Sequence, residues 1–136
     1  KDIEIGKGLI TKEGSDASII ACGTMVDQAV DAQEQLAKEG VSARVVDMHT
    51  IKPLDEKLVL RCLRDTNAIV TVEEHSIIGG LGGAVSEVLA ENGSSVHFQR
   101  IGVQDMFCES GEPEELFDKY GLSTSHIIKT VKKLLK

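Results

Sequence analysis

Glu73, Glu74 and His75 close an aliphatic run at residues 68–72, and the segment Gly79-Gly80-Leu81-Gly82-Gly83 follows almost at once. Two chemistries suit these types in this order. Neighbouring carboxylates raise the pKa of a histidine and so favour acid/base work at His75. Glycines ahead of a helix bare its backbone N–H groups, which suit an anion. The same parts also suit a close contact between subunits.

The stricter motifs fail one by one. A dinucleotide fingerprint started at Gly80 has Gly82 in place, but Val85 stands at the third glycine position. Glu73 and Glu74 would repel a pyrophosphate, and the strand expected at residues 96–101 does not end in a ribose-binding acid. Gly6-Lys7 has neither the glycine spacing nor the Ser/Thr of a phosphate loop. Glu73, Glu74 and His75 are consecutive on an extended chain and point in different directions, which does not suit a metal. Cys22 and Cys62 sit in apolar patterns and are expected in the core. Cys108 lies beside Glu109 and Ser110 with no histidine near in sequence to activate it. His49, just after Asp47 and Met48, falls on the same rim as His75, whereas His97 and His126 read as surface or packing residues. No residue is therefore assigned to catalysis, to a cofactor or to a metal.

These side chains need a scaffold. Val, Ile, Leu and Ala must build the core, because the chain has only three Phe, one Tyr and no Trp. Such composition favours buried parallel strands, which read as aliphatic runs. Strands are expected at residues 4–11, 17–22, 42–48, 68–72 and 96–101. Helices are expected at residues 25–39, from a cap at Asp55 to about residue 65, at 84–91, from Pro113 to residue 120, and after a cap at Ser123. Thr24, with Asp27 three residues on, reads as the cap of the first helix, and Gly40 as its C-terminal stop. Ile127, Ile128, Val131, Leu134 and Leu135 give the last helix a single apolar stripe. Alternation of this kind implies right-handed crossovers and a mostly parallel sheet covered on both faces.

At 136 residues one α/β domain spanning residues 1–136 is expected. A net charge of -7 argues against nucleic acid, since the one basic cluster, residues 129–136, suits a helix C-terminus. Three widely spaced cysteines point to a reducing cytoplasm, and no run is apolar enough to span a membrane. The chain opens at Lys1 in mid-pattern, as a fragment would.

Three segments carry a family resemblance. They are Val46-Asp-Met-His-Thr-Ile-Lys-Pro-Leu-Asp55, Val70-Thr-Val-Glu-Glu-His-Ser-Ile-Ile-Gly-Gly-Leu-Gly-Gly83 and Ile101-Gly-Val-Gln-Asp-Met-Phe-Cys-Glu-Ser-Gly111. In this order they resemble the C-terminal domain of transketolase, most of all the form encoded as separate halves. Cys108 departs from the glycine expected before Glu-Ser-Gly. Deoxyxylulose-phosphate synthase and the β subunits of 2-oxoacid dehydrogenases share the domain, so the parent enzyme stays open among them.

The resemblance implies a three-layer fold around a five-stranded sheet, mostly parallel with one antiparallel edge strand. It implies a parent enzyme that moves two-carbon ketol units between sugar phosphates with thiamine diphosphate and magnesium. Those cofactors belong to the two preceding domains, and no cofactor residue carries over to this chain. The implied role is packing against an N-terminal and a pyrimidine-binding domain in a homodimer or two-subunit assembly. The candidate contact is the rim of Asp47, His49, Glu73, Glu74, His75, Gly79, Gly80, Gly82 and Gly83. Removing the partner domains should bare an apolar face. A regulatory small-molecule site on the same rim is the alternative from another class.

Overall fold

The computed structural model describes residues 5–76, 80–103 and 124–136, with the side chains of His75, Ser76 and Val103 set aside. The elements run β1 (Leu9–Lys12), β2 (Ala17–Ala21), α1 (Met25–Lys38), β3 (Ala43–Asp47), α2 (Glu56–Asp65), β4 (Ala68–Ser76), α3 (Leu81–Glu91), β5 (His97–Val103) and α4 (Thr124–Leu134). The five strands form one sheet in the order β1-β3-β2-β4-β5. β1 pairs antiparallel with β3, and the other pairings are parallel. The helix expected at residues 113–120, the cap at Ser123 and the position of Cys108 lie outside the described residues.

Strand order decides which face each helix covers. The chain steps from β2 to β3 on one side, then returns across β2 to β4 and on to β5. Right-handed crossovers therefore put α1 on one face and α2 and α3 on the other. One core cluster joins α1 and α4 to Ala17, Ile19, Ala21, Val45, Val70 and Val72. The second joins α2 and α3 to Ile20, Val46, Met48 and Ile69. Alternate residues of each strand thus serve opposite cores, and all five residues of β2 are buried. Fully burying a side chain such as Ile19 or Ile20 stabilises by about 1.5–3 kcal/mol, so β2 anchors both layers.

The caps expected from the sequence within the described residues follow local chemistry with one exception. Gly40, at φ +81°, ends α1 with hydrogen bonds from Gly40 N to Ala37 O (3.1 Å) and from Val41 N to Leu36 O (2.9 Å). Asp55 caps α2 by accepting from Leu58 N at 3.2 Å, and its second oxygen accepts from Gly8 N at 3.0 Å. The α4 stripe packs as its spacing requires, with Ile127 and Val131 buried and Ile128, Leu134 and Leu135 against them. Thr24 is the exception: it makes no side-chain cap to α1.

Several boundaries differ from expectation. β4 continues past Val72 to Ser76, and α3 begins at Leu81 rather than Ala84. β1 is also shorter than expected, beginning at Leu9. Among the described residues Ile5 is the one large apolar side chain left in solvent, at 83% exposure. The bare apolar face expected on removal of partners is not found there.

Candidate functional site

The extension of β4 explains the acidic pair. Ile69, Thr71 and Glu73 alternate towards the layer of α3, and Glu73 is fully buried there. Its carboxylate accepts from Leu81 N at 2.8 Å through Oε1 and from Gly82 N at 2.7 Å through Oε2. A helix N-terminus offers unsatisfied donors and a partial positive charge, and a buried carboxylate needs both. The position where a phosphate could sit is thus filled by the chain's own anion.

The glycines divide by function. A Cβ on Gly82 would lie 2.7 Å from Cγ and Cδ of Arg100 and 3.0 Å from Oγ1 of Thr71, so its absence lets α3 settle on β4 and β5. Gly83 faces open space, and Gly80 is the extended residue ahead of the helix. Gly79 lies outside the described residues.

Glu74 takes the opposite course and is exposed. Its Oε1 accepts from the Thr24 hydroxyl at 2.6 Å, across the point where the chain leaves β2 for one face and β4 for the other. That switch point at the carboxyl ends of the strands is where open α/β sheets form a crevice. Here the crevice is a cleft of about 220 Å³ lined by Cys22, Gly23, Met48, His49, Ile51 and Glu74. Asp47 is half-buried at the end of β3 beside it. His75 belongs to β4, but its side chain is among those set aside.

Cys22 is half-buried on the cleft wall instead of lying fully in the core, whereas Cys62 is buried as expected. Burial first, then the charges of Glu73, Asp47 and Glu74, push the Cys22 thiol up to about 11. It is a protonated thiol at neutral pH and no thiolate nucleophile.

The residues present do not suit a diphosphate held through a metal. The α3 N-terminus is occupied by Glu73, the cleft wall carries Glu74, and no described residues group three His, Cys, Asp or Glu at metal-binding range. Among the described residues no helix is long and apolar enough to cross a membrane.

Sequence reasoning missed a second polar cluster at the other end of the sheet. Arg44, buried on β3, pairs with Glu13 at 3.1 Å and with Asp65 at 2.9 Å, and Arg61 joins through Glu13 at 3.3 Å. An Arg in an otherwise aliphatic strand was the available signal, since a buried guanidinium requires acids around it.

Comparison with known proteins places this arrangement. The family described as transketolase, C-terminal domain, matches residues 6–127. A provisionally named transketolase C-terminal section from Methanocaldococcus jannaschii is 47% identical over 98% of this chain and 41% of that protein. A 6-deoxy-6-sulfo-D-fructose transketolase subunit from a Clostridium strain is 44% identical over 94% of this chain and 39% of its own length. A 1-deoxy-D-xylulose-5-phosphate synthase from Desulforudis audaxviator is 43% identical over 94% of this chain but only 20% of that protein. Among solved structures, a split-gene transketolase described as an inactive beta4 tetramer superposes with a TM-score of 0.92 at 44% identity, covering 98% of this chain and 43% of the other. The chain therefore spans about two fifths or less of these relatives. With a fold that superposes at this TM-score and a family match over residues 6–127, the chain belongs to the transketolase C-terminal domain family.

Proposed function

We propose that the chain is a single domain, residues 1–136, of a thiamine-diphosphate-dependent, cytoplasmic transketolase. That enzyme transfers two-carbon ketol units between sugar phosphates. The domain serves packing and dimer assembly rather than the chemical step. Thiamine diphosphate and magnesium are held by the N-terminal and pyrimidine-binding domains, and the rim around Glu74 and His49 meets those domains. The observation that carries this reading is the Glu73 carboxylate on the N-terminus of α3, which fills the anion position that the glycine segment would otherwise offer.

The test is an activity assay on the purified chain with thiamine diphosphate, magnesium, a ketose phosphate donor and an aldose phosphate acceptor. No turnover is expected from the chain alone, and turnover is expected once the section bearing the other domains is added. Activity of the chain by itself would falsify the reading.

Relatives named 1-deoxy-D-xylulose-5-phosphate synthase, 37–43% identical, support a second reading with the same domain in that enzyme. Pyruvate decarboxylation with glyceraldehyde phosphate by the reconstituted enzyme, in place of ketol transfer, selects it.

A further inference from the structure

The cleft at the switch point is small and two-sided. Cys22, Met48 and Ile51 supply apolar surface, while Glu74 supplies a carboxylate at the mouth with His49 and Gly23 beside it. At about 220 Å³ it falls below the roughly 300–1,000 Å³ of sites that enclose a metabolite. It is of a size for one long side chain.

Its charge is one-signed. Among the described residues no lysine or arginine lines it, and Glu74, Asp47 and buried Glu73 all stand near Cys22. The Glu74 carboxylate is also oriented: the Thr24 hydroxyl fixes Oε1 at 2.6 Å, and no described residue donates to Oε2. An oriented carboxylate over an apolar wall matches a cation on an aliphatic stem, because the stem covers carbon while the head takes charge-assisted hydrogen bonds. Like charge from the same carboxylates disfavours phosphorylated metabolites and nucleotides.

We infer that this cleft receives a lysine or arginine side chain from the section of the enzyme that bears the other domains, with its charged head on Glu74. The chain spans about two fifths of its transketolase relatives, so the occupant has a source in the remaining length. The inference rests on the assembly role proposed above and names the chemistry of the contact.

Two measurements test it. The first titrates the isotopically labelled chain with n-butylguanidinium, which carries the arginine head and a short stem, and with n-butylurea, its neutral counterpart. Amide shifts at Gly23, Thr24, Met48 and Glu74 are expected with the cation. About tenfold weaker binding is expected with the urea, and also for the cation in Glu74→Gln. Equal binding of the two probes, or an unchanged response in Glu74→Gln, overturns the inference.

The second measures complex formation between this chain and the section carrying the other domains. Glu74 is exposed, so Glu74→Arg is expected to fold and to lose at least tenfold in affinity for that section. Undiminished assembly by Glu74→Arg overturns the inference while the assembly reading stands. A wild-type chain that forms no complex overturns the assembly reading itself.

Discussion

Glu73 Oε2 accepts from Gly82 N at 2.7 Å, so one residue both ends the buried part of β4 and closes the first turn of the helix that β4 feeds. Strand and helix are thereby locked at a fixed angle by a carboxylate that never meets solvent. Glu74, one residue on, lies outside that lock and remains available at the surface.

Glu73→Ala should be among the most damaging single changes near the rim. It removes two charge-assisted hydrogen bonds and orphans two backbone donors, a loss of about 2–4 kcal/mol. Glu73→Gln should recover only part, since its amide nitrogen would face an N–H that has nothing to accept. Urea denaturation of the three proteins measures this. An unchanged midpoint for Glu73→Ala would show that the cap does not carry stability.

The paired glycines should respond in opposite directions. Gly82→Ala forces a Cβ against Arg100 and Thr71 and should cost about 1–3 kcal/mol. Gly83→Ala enters open space on a helix and should gain about 0.5–1 kcal/mol by restricting the unfolded chain. Thermal melts of both variants read the sign directly, and a common sign rejects the packing account.

Cys22 should alkylate slowly. Raising its pKa from 9.0 to about 11 leaves roughly a hundredfold less thiolate at pH 8 than an ordinary thiol has. Iodoacetamide labelling in a Cys108→Ser background, with Cys62 buried, reports this site. Glu74→Gln should speed the reaction only modestly, because burial is the larger cause. Labelling at the rate of a free thiol would contradict the assigned environment.

Stability should weaken on the acid side through Asp65. The hydrogen bond from Arg44 holds its carboxyl below the usual range in the folded chain. A folded pKa below the unfolded one means the stabilisation is present above the unfolded value of about 4 and is lost as pH falls through the folded value. Arg44→Met removes the donor, so its stability should fall less steeply than the wild type's between pH 5 and about 2. Denaturant midpoints across that range decide, and parallel slopes would exclude Arg44 as the cause.

Local signals explain which features were legible in the sequence. Asp55 and Gly40 act within their own helices, so each end could be read from a few neighbouring residues. Thr24 carries a similar local signal, but its hydroxyl is claimed by Glu74, which is adjacent only in the folded sheet. β4 was cut short because its last residues are charged, and the aliphatic run gave no sign that Glu73 is drawn inward by the donors of α3. The partners of Arg44 lie on the β1–β2 turn and the end of α2, separations that no periodicity encodes. The rim stands out in the sequence by its residue types, yet its division into a buried and an exposed acid belongs to the tertiary structure.

The central position of β2 has a consequence for how the chain is made. Ala17 to Ala21 leave the ribosome before one of their two neighbours, β4, with Ala17 opposite Ala68 and Ala21 opposite Val72. Until that later strand emerges, a largely apolar ribbon keeps one edge of unpaired amides and carbonyls open to other nascent chains. Synthesis at about 5–20 residues per second makes this window a matter of seconds, and Lys12, Glu13 and Asp16 are the charged residues that border it in sequence.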